Sequence, residues 1–446
     1  MAGPTPTPHP AWQPETRAIH GRRFDNPLHS VAEPLVPTAT FYFRTTEELR
    51  AFQDKRLRQR PNDYPRHEYG RYGNPTVAAA EARLAELETA DEAILVASGM
   101  AAVTAVLLTY LRAGDHVIFT ADVYRRTRQF FQEWLPRWGI QSTMVPPNDF
   151  TALERAITPR TRLLYSETPT NPFLRVLDLE RWVTVAKQHS LLTVLDATFA
   201  TPINLQPLAY GVDIVVHSAS KYLGGHHDLL AGVIAGAREQ IAPIRAFLGT
   251  LGAIPSPHVA HELLRGLKTL PLRVRHQNQS GQIVAEFLSR HPAVAQVWYP
   301  GLPSHPDHAI ARRVLRGFGG VVTFTLRGTL DDALAFVDAL EIPLMAPSLG
   351  GTETLISPVA LMSFASYTPE ERAMLGIDDT LMRLALGLEA PEDLIRDLDQ
   401  ALTWMQRRPR SFQRPKSEIT QTHAAAYAPA GAIATSKPDL NEASEQ

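Results

Sequence analysis

Residues 213–225 read Asp213-Ile214-Val215-Val216-His217-Ser218-Ala219-Ser220-Lys221-Tyr222-Leu223-Gly224-Gly225. An apolar run of strand length ends in two hydroxyl residues, a lysine and a pair of glycines. Apolar character at consecutive rather than alternate positions marks a strand covered on both faces, as in a parallel sheet. Five further runs of this kind occupy residues 93–98 (AILVAS), 116–121 (HVIFTA), 162–167 (RLLYSE), 191–196 (LLTVLD) and 231–235 (AGVIA). Helical patterns at 76–87, 99–111, 126–135 and 178–189 separate them. Strands alternating with helices predict an α/β domain built on a largely parallel sheet. Lys221 then stands at the carboxyl end of a strand, where such sheets present residues to a ligand.

The chain has 446 residues, 44% hydrophobic and 20% charged, a composition of folded domains rather than of fibres or disorder. A formal net charge of −2 argues against a dedicated nucleic-acid binder. With no cysteine, disulfides, thiolate zinc sites and a thiol nucleophile are excluded. Residues 1–20 contain no apolar core of signal-peptide length and no apolar run approaches bilayer length, which predicts a soluble, cytoplasmic protein.

A second unit follows the α/β domain. Its pattern is a long helix from 257 to 291, interrupted at Pro271, then 319–326 (GGVVTFTL), a helix at 330–340, residues 380–388 and a last helix ending near Arg407. The expected organisation is a disordered tail over 1–15, an arm over 16–75, a large domain over 76–270, a smaller α+β domain over 271–409 and a disordered tail over 410–446. There is no internal repeat, P-loop or dinucleotide fingerprint.

Only six of the 44 basic residues are lysine: Lys55, Lys187, Lys221, Lys268, Lys416 and Lys437. Lys55 lies in a charged stretch, Lys187 and Lys268 on amphipathic helices, and Lys416 and Lys437 in the C-terminal tail. Lys221 alone is placed for chemistry, because burial at a strand end lowers a lysine pKa, the condition for forming a Schiff base. The strand at 191–195 ends in Asp196. A carboxylate there costs several kcal/mol unless it meets a cation, such as a protonated pyridine nitrogen. Ser98-Gly99-Met100 joins a strand to a helix, so its amides can hold a phosphate. A phosphate cradle, an acid and a lysine on successive strand ends outline a site for pyridoxal 5'-phosphate (PLP). A different chemistry, a His/carboxylate metal hydrolase, can be read from His226-His227-Asp228 and His305-Pro306-Asp307-His308. Adjacent histidines rarely point at one ion and there is no HExxH, so no metal site is expected.

Further motifs are Glu68-Tyr69-Gly70-Arg71-Tyr72-Gly73-Asn74-Pro75, Glu167-Thr168-Pro169-Thr170-Asn171-Pro172, Asp196-Ala197-Thr198-Phe199 and Ser348-Leu349-Gly350-Gly351. Through these, over roughly residues 16–407, the chain resembles the cystathionine γ-synthase family of Cys/Met-metabolism PLP enzymes. The likeness is greatest to its plant-type members, through Tyr124-Arg125-Arg126-Thr127 and Gly317-Phe318-Gly319-Gly320.

The resemblance implies fold type I, the aspartate-aminotransferase-like fold, with a mostly parallel seven-stranded sheet and a smaller C-terminal α+β domain. It implies that Lys221 carries PLP as a Schiff base, that Asp196 pairs with the pyridine nitrogen, and that Ser98, Gly99, Met100, Ser218 and Ser220 hold the phosphate. Tyr69 and Arg71 reach in from a neighbouring subunit, so the catalytic unit is a homodimer, expected within a homotetramer. Tyr124 stacks on the ring and moves protons, and Asn171 lies near the ring hydroxyl. Arg383 clamps the substrate carboxylate beside Ser348. Thr354 takes the place of a serine that tethers the lysine in many members. Arg126 is expected to receive a phosphate or acyl leaving group. The implied reaction is γ-replacement on O-phospho-, O-acetyl- or O-succinylhomoserine by a thiol, most simply cysteine, giving cystathionine. The alternatives are a cystathionine or methionine γ-lyase and an O-acylhomoserine sulfhydrylase.

Overall fold

A computed structural model describes residues 12–21, 28–57, 67–365 and 367–407. The tail expected at 410–446 and residues 1–11 of the tail expected at 1–15 lie outside these residues, and Pro14 and Glu15 belong to a helix rather than to a tail. Strands β1 (Glu92–Val96), β2 (His116–Thr120), β3 (Gln141–Val145), β4 (Thr161–Glu167), β5 (Leu192–Asp196), β6 (Ile214–Ser218) and β7 (Gly232–Gly236) form one sheet, in the order β1-β7-β6-β5-β4-β2-β3. Strands β2 to β6 pair in parallel, and β7 lies antiparallel between β6 and β1. Side chains alternate between two cores. Val194, Ile214 and Val216 join the cluster that holds Val103 and Val106 of helix Gly99–Tyr110. Leu195 and Val215 join Trp182 and Val183 of helix Leu179–Gln188 on the other face. Each such fully buried side chain contributes roughly 1.5–3 kcal/mol, which is why these strands read as unbroken apolar runs.

A second, mostly antiparallel sheet contains β8 (Val294–Trp298), β9 (Val321–Leu326), β10 (Leu344–Met345), β11 (Leu355–Pro358) and β12 (Leu381–Ala385), in the order β10-β11-β12-β9-β8. It builds the smaller C-terminal unit. No helix among the described residues is long and apolar enough to cross a membrane.

Three elements differ from the sequence reading. Strand β3 (QSTMV) has no apolar run, because it is the sheet edge and leaves Gln141 and Met144 exposed. The helix expected over 126–135 is α-helical only at Arg125–Gln129, then widens to a π turn at Phe130–Trp134 and tightens to a 3-10 turn at Leu135–Trp138. Pro136 in that last turn has no N–H to give and its ring crowds the preceding turn. The long helix is interrupted as expected, but at Lys268–Thr269, dividing it into Pro257–Leu267 and Leu270–Arg290; Pro271 itself sits in the first turn of the second piece, where proline is tolerated.

The start of the expected arm is held by its own chain. Helix Pro14–His20 buries Ala18, whose carbonyl accepts a hydrogen bond from Arg83 at 2.5 Å, and Glu15 pairs with Arg275.

Candidate active site

Parallel strands deliver their carboxyl ends to one edge of the sheet. There the chain places Ser98-Gly99-Met100 after β1, Tyr124 after β2, Glu167 at the end of β4, Asp196 at the end of β5 and Ser218 to Lys221 at and after the end of β6. Lys221 is only partly exposed, and its Nζ donates to Ser348 Oγ at 2.7 Å. Burial, and secondarily the Arg383 guanidinium, lowers this amine from 10.5 to about 8. Asp196 Oδ1 accepts from the Thr198 amide (2.9 Å) and hydroxyl (2.5 Å), and Thr198 Oγ1 in turn accepts the Ser218 amide at 2.8 Å. These bonds fix the carboxylate, but burial still pushes its pKa up.

The segment expected to cradle a phosphate is a close approach of strand and helix. A Cβ on Gly99 would lie 2.8 Å from the Ser218 Cβ, and one on Gly232 would lie 2.1 Å from the Ser98 carbonyl. Ser98 Oγ accepts the Ala101 amide at 3.1 Å as the helix N-cap, which leaves the first-turn amides of Gly99 and Met100 for an anion. Ser220 Oγ accepts the Ala231 amide at 3.0 Å, tying the lysine loop to the start of β7. Ser98 and Ser220 therefore shape the cradle through the backbone.

Arg383, on β12, is 7% exposed. It donates to Asn171 Oδ1 (3.1 Å) and the Ser348 carbonyl (2.8 Å), while its Nε is buried without a partner. Burial draws this guanidinium down to about 10. A buried cation whose acceptors are neutral and whose Nε is free is built to receive a carboxylate. Tyr124 is 44% exposed, with its amide donating to Glu167 Oε2 at 2.7 Å. Arg126 is exposed and bonds Gln129 Oε1 at 2.7 Å, along its own helix. Arg71 lies over the rings of Tyr69 and Tyr72, its guanidinium carbon 5.5 and 4.8 Å from their centroids, and donates to the Gly249 carbonyl.

One expected residue is corrected. Thr354 does not tether Lys221. Its fully buried hydroxyl donates to Glu389 Oε2 at 2.7 Å and accepts the Gly387 amide at 2.9 Å, and it makes no bond to the lysine, whose Nζ goes to Ser348. Ser348 takes the tether, linking Lys221 through its hydroxyl to Arg383 through its carbonyl. Glu389 and Glu167 were not singled out from the sequence. Their only signal was an acid flanking a site motif. Three of the four histidines that could be read as metal ligands face backbone carbonyls: His226 that of Gly224, His305 that of Phe173 and His308 that of Pro300. Asp307 is taken by Arg175 and the Val176 amide. Among the described residues no three acids or histidines gather in a way that could hold a metal ion.

A model of the family described as Cys/Met metabolism PLP-dependent enzyme matches residues 15–403. The chain belongs to this family. Cystathionine gamma-synthase 1, chloroplastic, of Arabidopsis thaliana is 44% identical over 374 residues, covering 84% of this chain; the chain spans 65% of that protein's length. L-methionine gamma-lyase of Pseudomonas putida is 40% identical over 391 residues, 87% of this chain and 96% of that one. O-succinylhomoserine sulfhydrylase of Pseudomonas aeruginosa is 38% identical over 388 residues, 87% and 94% respectively. The cofactor of a Cys/Met-metabolism enzyme of this family is PLP, and the residues here fit it. Lys221 offers an amine of lowered basicity, Asp196 a half-buried carboxylate suited to a ring-nitrogen cation, and Gly99 with Gly232 a close approach that side chains would fill.

Proposed function

We propose that this enzyme catalyses γ-replacement on an activated homoserine, joining a thiol, most simply cysteine, to Cγ to give cystathionine. The observation that carries the amino-acid substrate is Arg383, a buried guanidinium with a free Nε, joined through Ser348 to Lys221. The 44% identity to a plant cystathionine γ-synthase supports replacement over elimination.

PLP bound at Lys221 supplies an electron sink for the substrate carbons. Arg383 holds the α-carboxylate and so fixes which face of Cα meets Lys221. Lys221, with its basicity brought near neutrality, takes the Cα proton and manages the proton at Cβ. Asp196 keeps a negative charge toward the ring nitrogen. Tyr124, exposed at the site mouth, assists departure of the γ substituent, after which the thiol sulfur bonds to Cγ. Asn171, held by Arg383, serves the ring hydroxyl, and Ser218 the phosphate, while Ser220 orders the phosphate loop through its bonds to Ala231. The same proposal makes the catalytic unit a homodimer within a homotetramer, with Tyr69 and Arg71 of one subunit completing the other's phosphate site. The half-exposed Tyr69, and a cradle whose own-chain groups are neutral amides and hydroxyls, support this arrangement.

The test is to incubate the enzyme with O-phospho-, O-acetyl- and O-succinylhomoserine, each with and without cysteine, and identify products by mass spectrometry. Cystathionine from at least one pairing is expected; 2-oxobutyrate alone, with no thioether, sinks the synthase reading. Arg126 is proposed to receive the anionic leaving group from its exposed position beside Tyr124. Arg126→Ala is expected to raise KM for the preferred activated homoserine about threefold to tenfold, the range of a partly exposed charge pair. An unchanged KM for all three esters would remove Arg126 from the site.

A further inference from the structure

Strands β4 and β5 are paired in register so that Glu167 lies opposite Asp196. Neighbours at one register position of a parallel pair point to the same face, so two carboxyl groups end side by side, Glu167 only 4% exposed. Two carboxylates at one register position, one buried and one half-buried, strongly disfavour both being ionised. Their other neighbours differ. Asp196 receives the amide and hydroxyl of Thr198, and its register partner on β6 is the apolar Val216, with His217 beyond it turned to Glu88. Glu167 receives the backbone amide of Tyr124, with weaker help from that of Asn171, and meets a second acid, Asp122, from the loop after β2. The buried hydroxyl of Tyr165, two residues back on β4, adds no positive charge, and the nearby cation Arg175 is already bound to Asp307.

We propose that Glu167 and Asp196 are a one-proton carboxyl pair in which Glu167 carries the proton and Asp196 the charge offered to the cofactor's ring nitrogen. Glu167 is thereby a positioning residue: neutral itself, it keeps a single negative charge at the strand ends while holding Tyr124 by its amide. Burial, with Asp196 beside it, pushes the Glu167 carboxyl well above its ordinary value, as this assignment requires. The inference concerns the PLP site common to the family and stands whichever γ-reaction the enzyme carries out.

A raised carboxyl pKa stabilises the fold fully below the unfolded value, about 4.3, and that stability is lost as pH rises toward the folded value. Glu167→Gln keeps the shape and the acceptor for Tyr124 but has no proton to lose. In denaturant unfolding of the full-length holoenzyme, the unfolding constant of wild type relative to E167Q should therefore grow by up to about tenfold per pH unit from pH ~5 upward. Parallel curves from pH 5 to 8 overturn the proposal. Infrared spectra decide the matter even if E167Q does not fold. Wild-type holoenzyme at pH 8 should show a carboxylic-acid carbonyl band that persists in D122N and shifts when the glutamates, but not the aspartates, carry a heavy-isotope carboxyl label. Its absence from wild type, its loss in D122N, or a shift with labelled aspartate alone overturns the assignment. Neither readout depends on which substrate is turned over, so a failed product assay and a failed proton assignment remain distinguishable.

Discussion

Replacing Lys221 with alanine is expected to lower turnover at least about 10³-fold, because in the proposed function one side chain supplies both the covalent hold on the cofactor and the base that moves the substrate protons. Lys221→Arg fares no better: a guanidinium stays protonated and does not form the link. Lys187 lies on helix Leu179–Gln188, against Gly211 before the start of β6, and Lys268 lies in the break before helix Leu270–Arg290. The measurement has two arms. Borohydride treatment followed by mass spectrometry of the denatured chain shows the cofactor's mass on wild type and not on K221A, and steady-state assays give the rate loss. A K221A enzyme within tenfold of wild type would show that another group carries the chemistry.

Much of this site was legible because it rests on strand ends. A strand buried on both faces is apolar throughout, so its last residue stands out when it is Asp196 or is followed closely by Lys221. The edge strand Gln141–Val145 left no such mark, since an edge needs little burial. Thr354 was misread for a different reason. A hydroxyl at a given spacing does not reveal which hydroxyl reaches the lysine, and that is settled by the backbone of Ser348, whose φ of 92° lies where side chains other than glycine are rare. Glu389, 35 residues beyond Thr354, captures the threonine instead. The pairing of Glu167 with Asp196 was hidden in the same way. It is a matter of register between strands 25 residues apart in sequence, and in a linear reading Glu167 is only the acid that opens a loop motif.

Arg383→Leu is expected to lower kcat/KM for the amino-acid substrate about 10²–10³-fold, the effect of removing one partner from a buried, hydrogen-bonded charge pair. The loss should fall mainly on KM, because the carboxylate is held alike in ground and transition states. Arg383→Lys keeps the charge but not the planar fork that reaches Asn171 and the Ser348 carbonyl together, so it should lie between L and wild type. An unchanged KM in R383L would place the carboxylate elsewhere. A second readout follows from the lysine. Arg383 is the smaller of two causes that hold Lys221 near 8, burial being the larger. In R383L the like charge is gone and burial remains, so the amine should become more basic while staying below its ordinary 10.5. The rate at which the cofactor-free protein takes up PLP depends on the unprotonated amine, so its pH profile should move to higher pH in R383L and much less in R383K. A shift in the profile without a KM effect would mean that the guanidinium tunes the lysine and does not hold the substrate. The two effects appearing together are what the Lys221–Ser348–Arg383 connection requires.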